Sequence, residues 1–72
     1  MTANVVRLNN FLQNRHMQHA LTESFSSVGP PNQLQWTVTF KLNGQAIGAA
    51  TAGTKGAAKE QAAGQALTAL GA

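Results

Sequence analysis

The sequence has no cysteine, no aspartate and no tyrosine. Without cysteine there is no disulfide framework, no thiolate zinc site and no thiol nucleophile. The only acids are Glu23 and Glu60, so hydrolysis by paired carboxylates has almost nothing to work with. Only 10% of residues are charged, yet no stretch approaches the ~18 apolar residues of a membrane helix. The stretch from Met1 to Arg7 lacks the apolar run of a signal peptide. These absences argue against an enzyme, a cofactor or a metal centre. They leave an intracellular binding module, in the cytoplasm or the nucleus, as the expectation.

At 72 residues the chain amounts to one domain, residues 1–72 with a core at about 5–70, free-standing or excised from a longer protein. A chain this small buries only roughly 60% of the surface it exposes when unfolded, so its core must be economical. Five Lys or Arg against two acids give a net charge of +3. The isoelectric point near 10.3 is high mainly because acids are scarce. Five cations do not make a polybasic tract, so their placement matters more than their sum.

Periodicity predicts five elements. In 4–15, Val5, Leu8 and Leu12 recur at helical spacing with Phe11 on the flank, while Arg7, Asn10, Gln13 and Asn14 fall opposite. From Ala20 to Ser27 the pattern alternates, as in a short strand. Gly29-Pro30-Pro31-Asn32 must be a loop, because two prolines remove two backbone donors and fix two φ angles. Trp36, Val38, Phe40 and Leu42 then line one face of a strand, with Thr37, Thr39 and Lys41 on the other. Asn43-Gly44 is a strong hairpin signal, which returns Gln45 to about Ala52 as a third strand. Thr54 is a good N-cap for a last helix running to about Leu70. Its apolar face is Ala58, Ala62, Ala63, Ala66, Leu67 and Leu70; Glu60, Gln61, Gln65 and Thr68 are its wet face, and Gly71 its stop. The expected class is α+β, in the order α-β-β-β-α: a three-stranded antiparallel sheet with both helices packed on one face.

Lys55 and Lys59 are four residues apart and share a face at the start of the last helix. They fall within its apolar arc, which the sequence alone explains by a first turn that projects beyond the sheet. Free N–H groups and the positive end of the helix dipole lie there too. Two ammoniums beside an open helix N-terminus suit a phosphate. Solvated lysines with snorkelling stems are the plainer reading, but that leaves unexplained why two cations stand at the end of a helix that disfavours them.

These pieces, taken in order, resemble a known family. Leu8-Asn9-Asn10-Phe11-Leu12-Gln13, the Gly29–Asn32 loop, Trp36 and Val38, Asn43-Gly44, and the run from Thr54-Lys55-Gly56-Ala57-Ala58-Lys59 to Ala63 are together similar to a double-stranded RNA-binding domain. The resemblance implies the same α-β-β-β-α fold and three contact regions. The first helix enters one minor groove, the loop after the first strand enters the next, and the last helix's N-terminus touches phosphates across the major groove between them. A-form RNA suits this mode, since its shallow minor groove displays 2′-hydroxyls and about 16 base pairs are read by shape. Carried over by position, the regions are Asn10 and Gln13, with Asn9 or Arg7; Gly29, Pro30, Pro31 and Asn32; and Thr54, Lys55 and Lys59. The chain departs from the family pattern at Asn10, where Glu is usual, at Asn32, where His is usual, and at Gly56, where a second Lys is usual. Asn retains hydrogen-bonding capacity, whereas Gly56 removes a phosphate contact and weakens the helix by roughly 1 kcal/mol relative to Ala. The resemblance therefore implies RNA binding of modest affinity.

A degenerate module of the same fold, used for protein–protein contact or self-association in an RNA-processing protein, is the second expectation. His16 and His19 are spaced as a metal pair on a helix, but with no Cys or Asp and only Glu23 close by they read as exposed loop or helix-end residues, not a metal site. Alternation places Trp36 in the core, and leaves Arg15 and Lys41 on solvated faces.

Overall fold

A computed structural model describes residues 3–72. Met1 and Thr2, part of the stretch inspected for a leader, lie outside the described residues. The elements are α1 (Ala3–Asn14), a 3-10 turn (Gln18–Ala20), β1 (Leu21–Val28), β2 (Gln35–Leu42), β3 (Gln45–Ala52) and α2 (Lys55–Ala69). The order is the expected one, and the short turn before β1 is the only addition.

Each helix ends as its residues dictate. In α1, Leu8 and Leu12 are buried, while Val5 and Phe11 pack at the margin of the core. The helix stops in a Schellman arrangement: Met17 N–H donates to the Leu12 carbonyl at 2.9 Å and His16 N–H to Gln13 at 3.1 Å, with His16 left-handed at φ 56°. The start of α1 is capped from outside. Glu60 of α2 accepts from Asn4 N–H at 2.7 Å and from Val5 N–H at 3.3 Å, satisfying two of the orphan donors of that turn. Glu60 is thus not a wet-face residue as expected; it ties the two helices together. At the far end, Gly71 and Ala72 close α2 with N–H bonds to Thr68 and Leu67.

The sheet runs β1-β2-β3 and is antiparallel throughout. Asn43 and Gly44, both at positive φ, form the tight turn between β2 and β3 that such a pair favours. Pairing shifts between Phe40 and Lys41, where Ile47 is the extra residue of a bulge in β3. Val38 and Phe40 face the helices and are buried; Trp36 and Leu42 are half-buried against them. The opposite face carries Thr22, Ser24, Ser26, Thr37, Thr39 and Lys41, and a hydroxyl pair joins Thr37 to Thr51 at 2.8 Å.

Both helices cover one face. Helix α2 lies over β3 and β2, and α1 packs chiefly on α2. Leu8, Leu12, Val38, Phe40, Ala58, Ala62, Ala63, Ala66 and Leu67 make one core, none more than 4% exposed. Alanine lets α2 come down almost to the sheet backbone. A Cβ on Gly48 would overlap the Ala62 carbonyl oxygen and lie 2.7 Å from Ala66 N, so β3 admits no side chain there. Gln65 adds a bond from α2 to the strand, accepting Ala49 N–H at 3.2 Å.

Candidate nucleic-acid interface

The start of α2 is built by Thr54. Its backbone is extended, at φ −130° and ψ 152°, and its Oγ1 accepts Ala57 N–H at 3.1 Å. That bond uses the hydroxyl oxygen as an acceptor, keeps its O–H as a donor, and leaves the first amides of the helix, at Lys55 and Gly56, without intrahelical acceptors. Lys55 and Gly56 are exposed, and nothing lies within 4 Å of a Cβ placed on Gly56.

The two lysines do not project past the sheet as their place in the apolar arc suggested. They lie over β1, whose inward row continues from Leu21 through Glu23 to Phe25. Lys55 Nζ stands 3.4 Å from the centroid of the Phe25 ring, a cation–π contact. Lys59 Nζ lies 3.5 Å from Glu23 Oε1, with the two side chains 38% and 25% exposed. This is the one ion pair among the described residues. Glu23 and Phe25 explain the anomaly: the lysines occupy an apolar arc because the strand beneath offers a carboxylate and a ring. Sequence reasoning missed both partners, although the alternation that put Glu23 and Phe25 on the same face as Leu21 was available.

The loop from Gly29 to Leu34 is a braced turn. Gln33 N–H donates to the Pro30 carbonyl at 2.9 Å, and Gly29 takes φ 103°. A Cβ at Gly29 would sit 2.8 Å from the Gln33 carbonyl oxygen, so glycine is required both by conformation and by space. The turn presents Pro30, Pro31 and Asn32 to solvent. An open recess of about 670 Å³ lies beside it, lined by Pro31, Asn32, Leu34, Trp36 and Gly53 among others. Trp36 is therefore a rim residue: it packs against the core and also lines this recess. Because Gly53 leads directly into Thr54, the recess brings the loop beside the start of α2.

Asn10 and Gln13 are exposed on the side of α1 opposite Leu8 and Leu12. Asn9 and Arg7 are exposed as well. Val6, 51% exposed, shares that face with Asn10 one turn on. The spacing that turns Val5 inward with Leu8 and Leu12 leaves Val6 outside, as observed. Arg15 lies 4.3 Å over the Phe11 ring at the helix end. The recess thus brings Pro31 and Asn32 of the second group to Gly53, next to Thr54, while Lys55 and Lys59 lie over β1 and do not line it, and the first group has its own surface on α1. His16 and His19 are exposed, and no group of three metal-binding side chains occurs among the described residues. No helix among the described residues is long and apolar enough to cross a membrane.

Comparison with known proteins agrees with this fold. No curated protein matches the chain. A family model, described as the double-stranded RNA binding motif, matches residues 5–70. That family is one of binding domains, not of catalysts. The match runs from the first turn of α1 to Leu70 at the end of α2, and the chain belongs to the double-stranded RNA binding motif family, with double-stranded RNA as its partner.

Proposed function

We propose that the protein binds double-stranded RNA by shape and charge, largely without regard to sequence, through three surfaces. Asn10 and Gln13 of α1 contact 2′-hydroxyls and base edges in one minor groove. Gly29, Pro30, Pro31 and Asn32 enter the next. Thr54, Lys55 and Lys59 meet the phosphates between, aided by the free amides of the first turn of α2. One observation carries this reading: two lysines share the start of α2, whose first amides are free, and a recess lined by Pro31, Asn32 and Gly53 sets the uncharged loop close to that start.

Few cations take part, so affinity is modest. If about three phosphates are neutralised, log K falls against log salt with a slope of about 2 to 3 in magnitude. The test is the double variant Lys55→Ala, Lys59→Ala, titrated with an RNA duplex. It loses most binding while its melting curve stays cooperative; binding equal to wild type refutes the mechanism.

A second reading has a specific observation behind it. Lys59 is already paired with Glu23, and the outer sheet face is a row of small hydroxyl side chains with only Lys41 charged. Such a domain also suits protein contact or self-association within a longer RNA-processing protein in the cell interior. Titration with duplex RNA and matched duplex DNA, alongside molar mass against concentration, separates the two. A concentration-dependent dimer without an RNA shift selects the second.

A further inference from the structure

Glu23 is one of two acids in the chain, and it lies beneath the phosphate site. Its pairing with Lys59 is poor. The single contact is 3.5 Å long, and among the described residues Glu23 Oε2 is buried with no hydrogen-bond partner. An orphaned buried carboxylate oxygen is a cost that a fold normally avoids. Strand β1 needs no acid at this position: its neighbours on the same face are Leu21 and Phe25.

We propose that Glu23 is an intramolecular competitor for the RNA phosphate, a brake on binding that acts through Lys59. The inference rests on the phosphate role proposed above for Lys59. When a phosphate arrives, Lys59 has two courses. It turns to the phosphate and leaves Glu23 with both oxygens unpaired, or it bridges the two anions and brings them close together. Glu23 opposes binding in either case. Lys55 meets no such competitor, because its partner is the uncharged Phe25 ring. Local charge at the start of α2 is therefore +1 from two lysines and one carboxylate, and the pair divides into a free cation and a restrained one. A loose, partly exposed pair is readily exchanged, which suits a contact that yields only to a well-placed duplex.

The test replaces the charge and keeps the shape. Glu23→Gln binds duplex RNA about two- to fivefold more tightly, the range that partly exposed charge pairs carry. Its salt slope grows by up to about one in magnitude, because Lys59 is no longer shared with Glu23. Glu23→Asp keeps the charge and stays within about twofold of wild type. Glu23→Thr, a good strand residue, repeats the gain if glutamine disturbs the fold. A Glu23→Gln variant that binds more weakly makes Glu23 an orienting partner of Lys59 and overturns the proposal. Unchanged affinity and slope in both neutral variants overturn it too. These results are distinct from failure of the site itself, in which Lys55→Ala, Lys59→Ala binds as well as wild type.

Discussion

Replacing Gly48 by alanine adds one methyl group at the closest approach between sheet and helix. The new Cβ meets the Ala62 carbonyl oxygen and stands 2.7 Å from Ala66 N and 3.2 Å from Ala66 Cα. All three are backbone atoms, so no side chain can rotate away. Ordinary contact between heavy atoms needs about 3.5–4.0 Å, so α2 must retreat by roughly 1 Å or β3 must bend. Two effects compete. Alanine is favoured over glycine in a strand by about 0.5–1 kcal/mol. Overpacking costs about 1–3 kcal/mol, occasionally more, and rigid backbone neighbours put this site at the upper end. Destabilisation wins, by roughly 2 kcal/mol net, in a domain whose total stability is roughly 4–10 kcal/mol. For this size that lowers Tm by about 8–16 °C. Thermal melting followed by circular dichroism reads the shift. Gly64→Ala is the control: its Cβ meets the Asn4 side-chain amide nitrogen at 2.9 Å, a group able to move, so the loss there is smaller. A Gly48→Ala protein with an unchanged or raised Tm would show that α2 is not seated against β3 as described.

Gly56→Lys adds a third cation at an exposed position with open space around it; RNA affinity rises and the salt slope grows by about one, read by titration at several salt concentrations. Gly56→Ala, at the same place, leaves the slope alone and gains up to roughly 1 kcal/mol in urea unfolding. Glu60→Ala removes both acceptors from the start of α1 and costs about 1–2 kcal/mol in urea unfolding, with faster hydrogen exchange at the Asn4 and Val5 amides; unaltered exchange there would break the proposed link between the helices.

What the sequence discloses, and what it hides, follows from the range of each signal. Local periods are legible. The alternation from Trp36 to Leu42 marks β2, and the five buried residues of α2 (Ala58, Ala62, Ala63, Ala66 and Leu67) all belong to the apolar face read from spacing. The turn at Asn43-Gly44 and the cap at Thr54 are equally local. Partnerships across the fold have no such signature. Glu60 looks like an outward residue of α2 because its acceptors are used by amides 55 and 56 positions away in the chain. Lys55 and Lys59 look misplaced on an apolar arc until β1 is set beneath them. Trp36 fits the buried row by parity, yet it stands at the end of the strand, where the row runs out at a recess. Of the candidate interface, the elements and the loop were thus readable, and the state of its lysines was not.

The alanine face of α2 has a further consequence for how the domain meets a ligand. A buried alanine gives up no rotamer entropy on folding, whereas a buried leucine gives up about 0.5–1 kcal/mol. Four of the five buried positions of α2 are alanines, so most of the helix is anchored by atoms with no alternative arrangement. Such an anchor has nothing to relax when the exposed end is loaded. The backbone positions of Lys55 and Lys59 are then fixed before any phosphate arrives, and only their side chains have to turn.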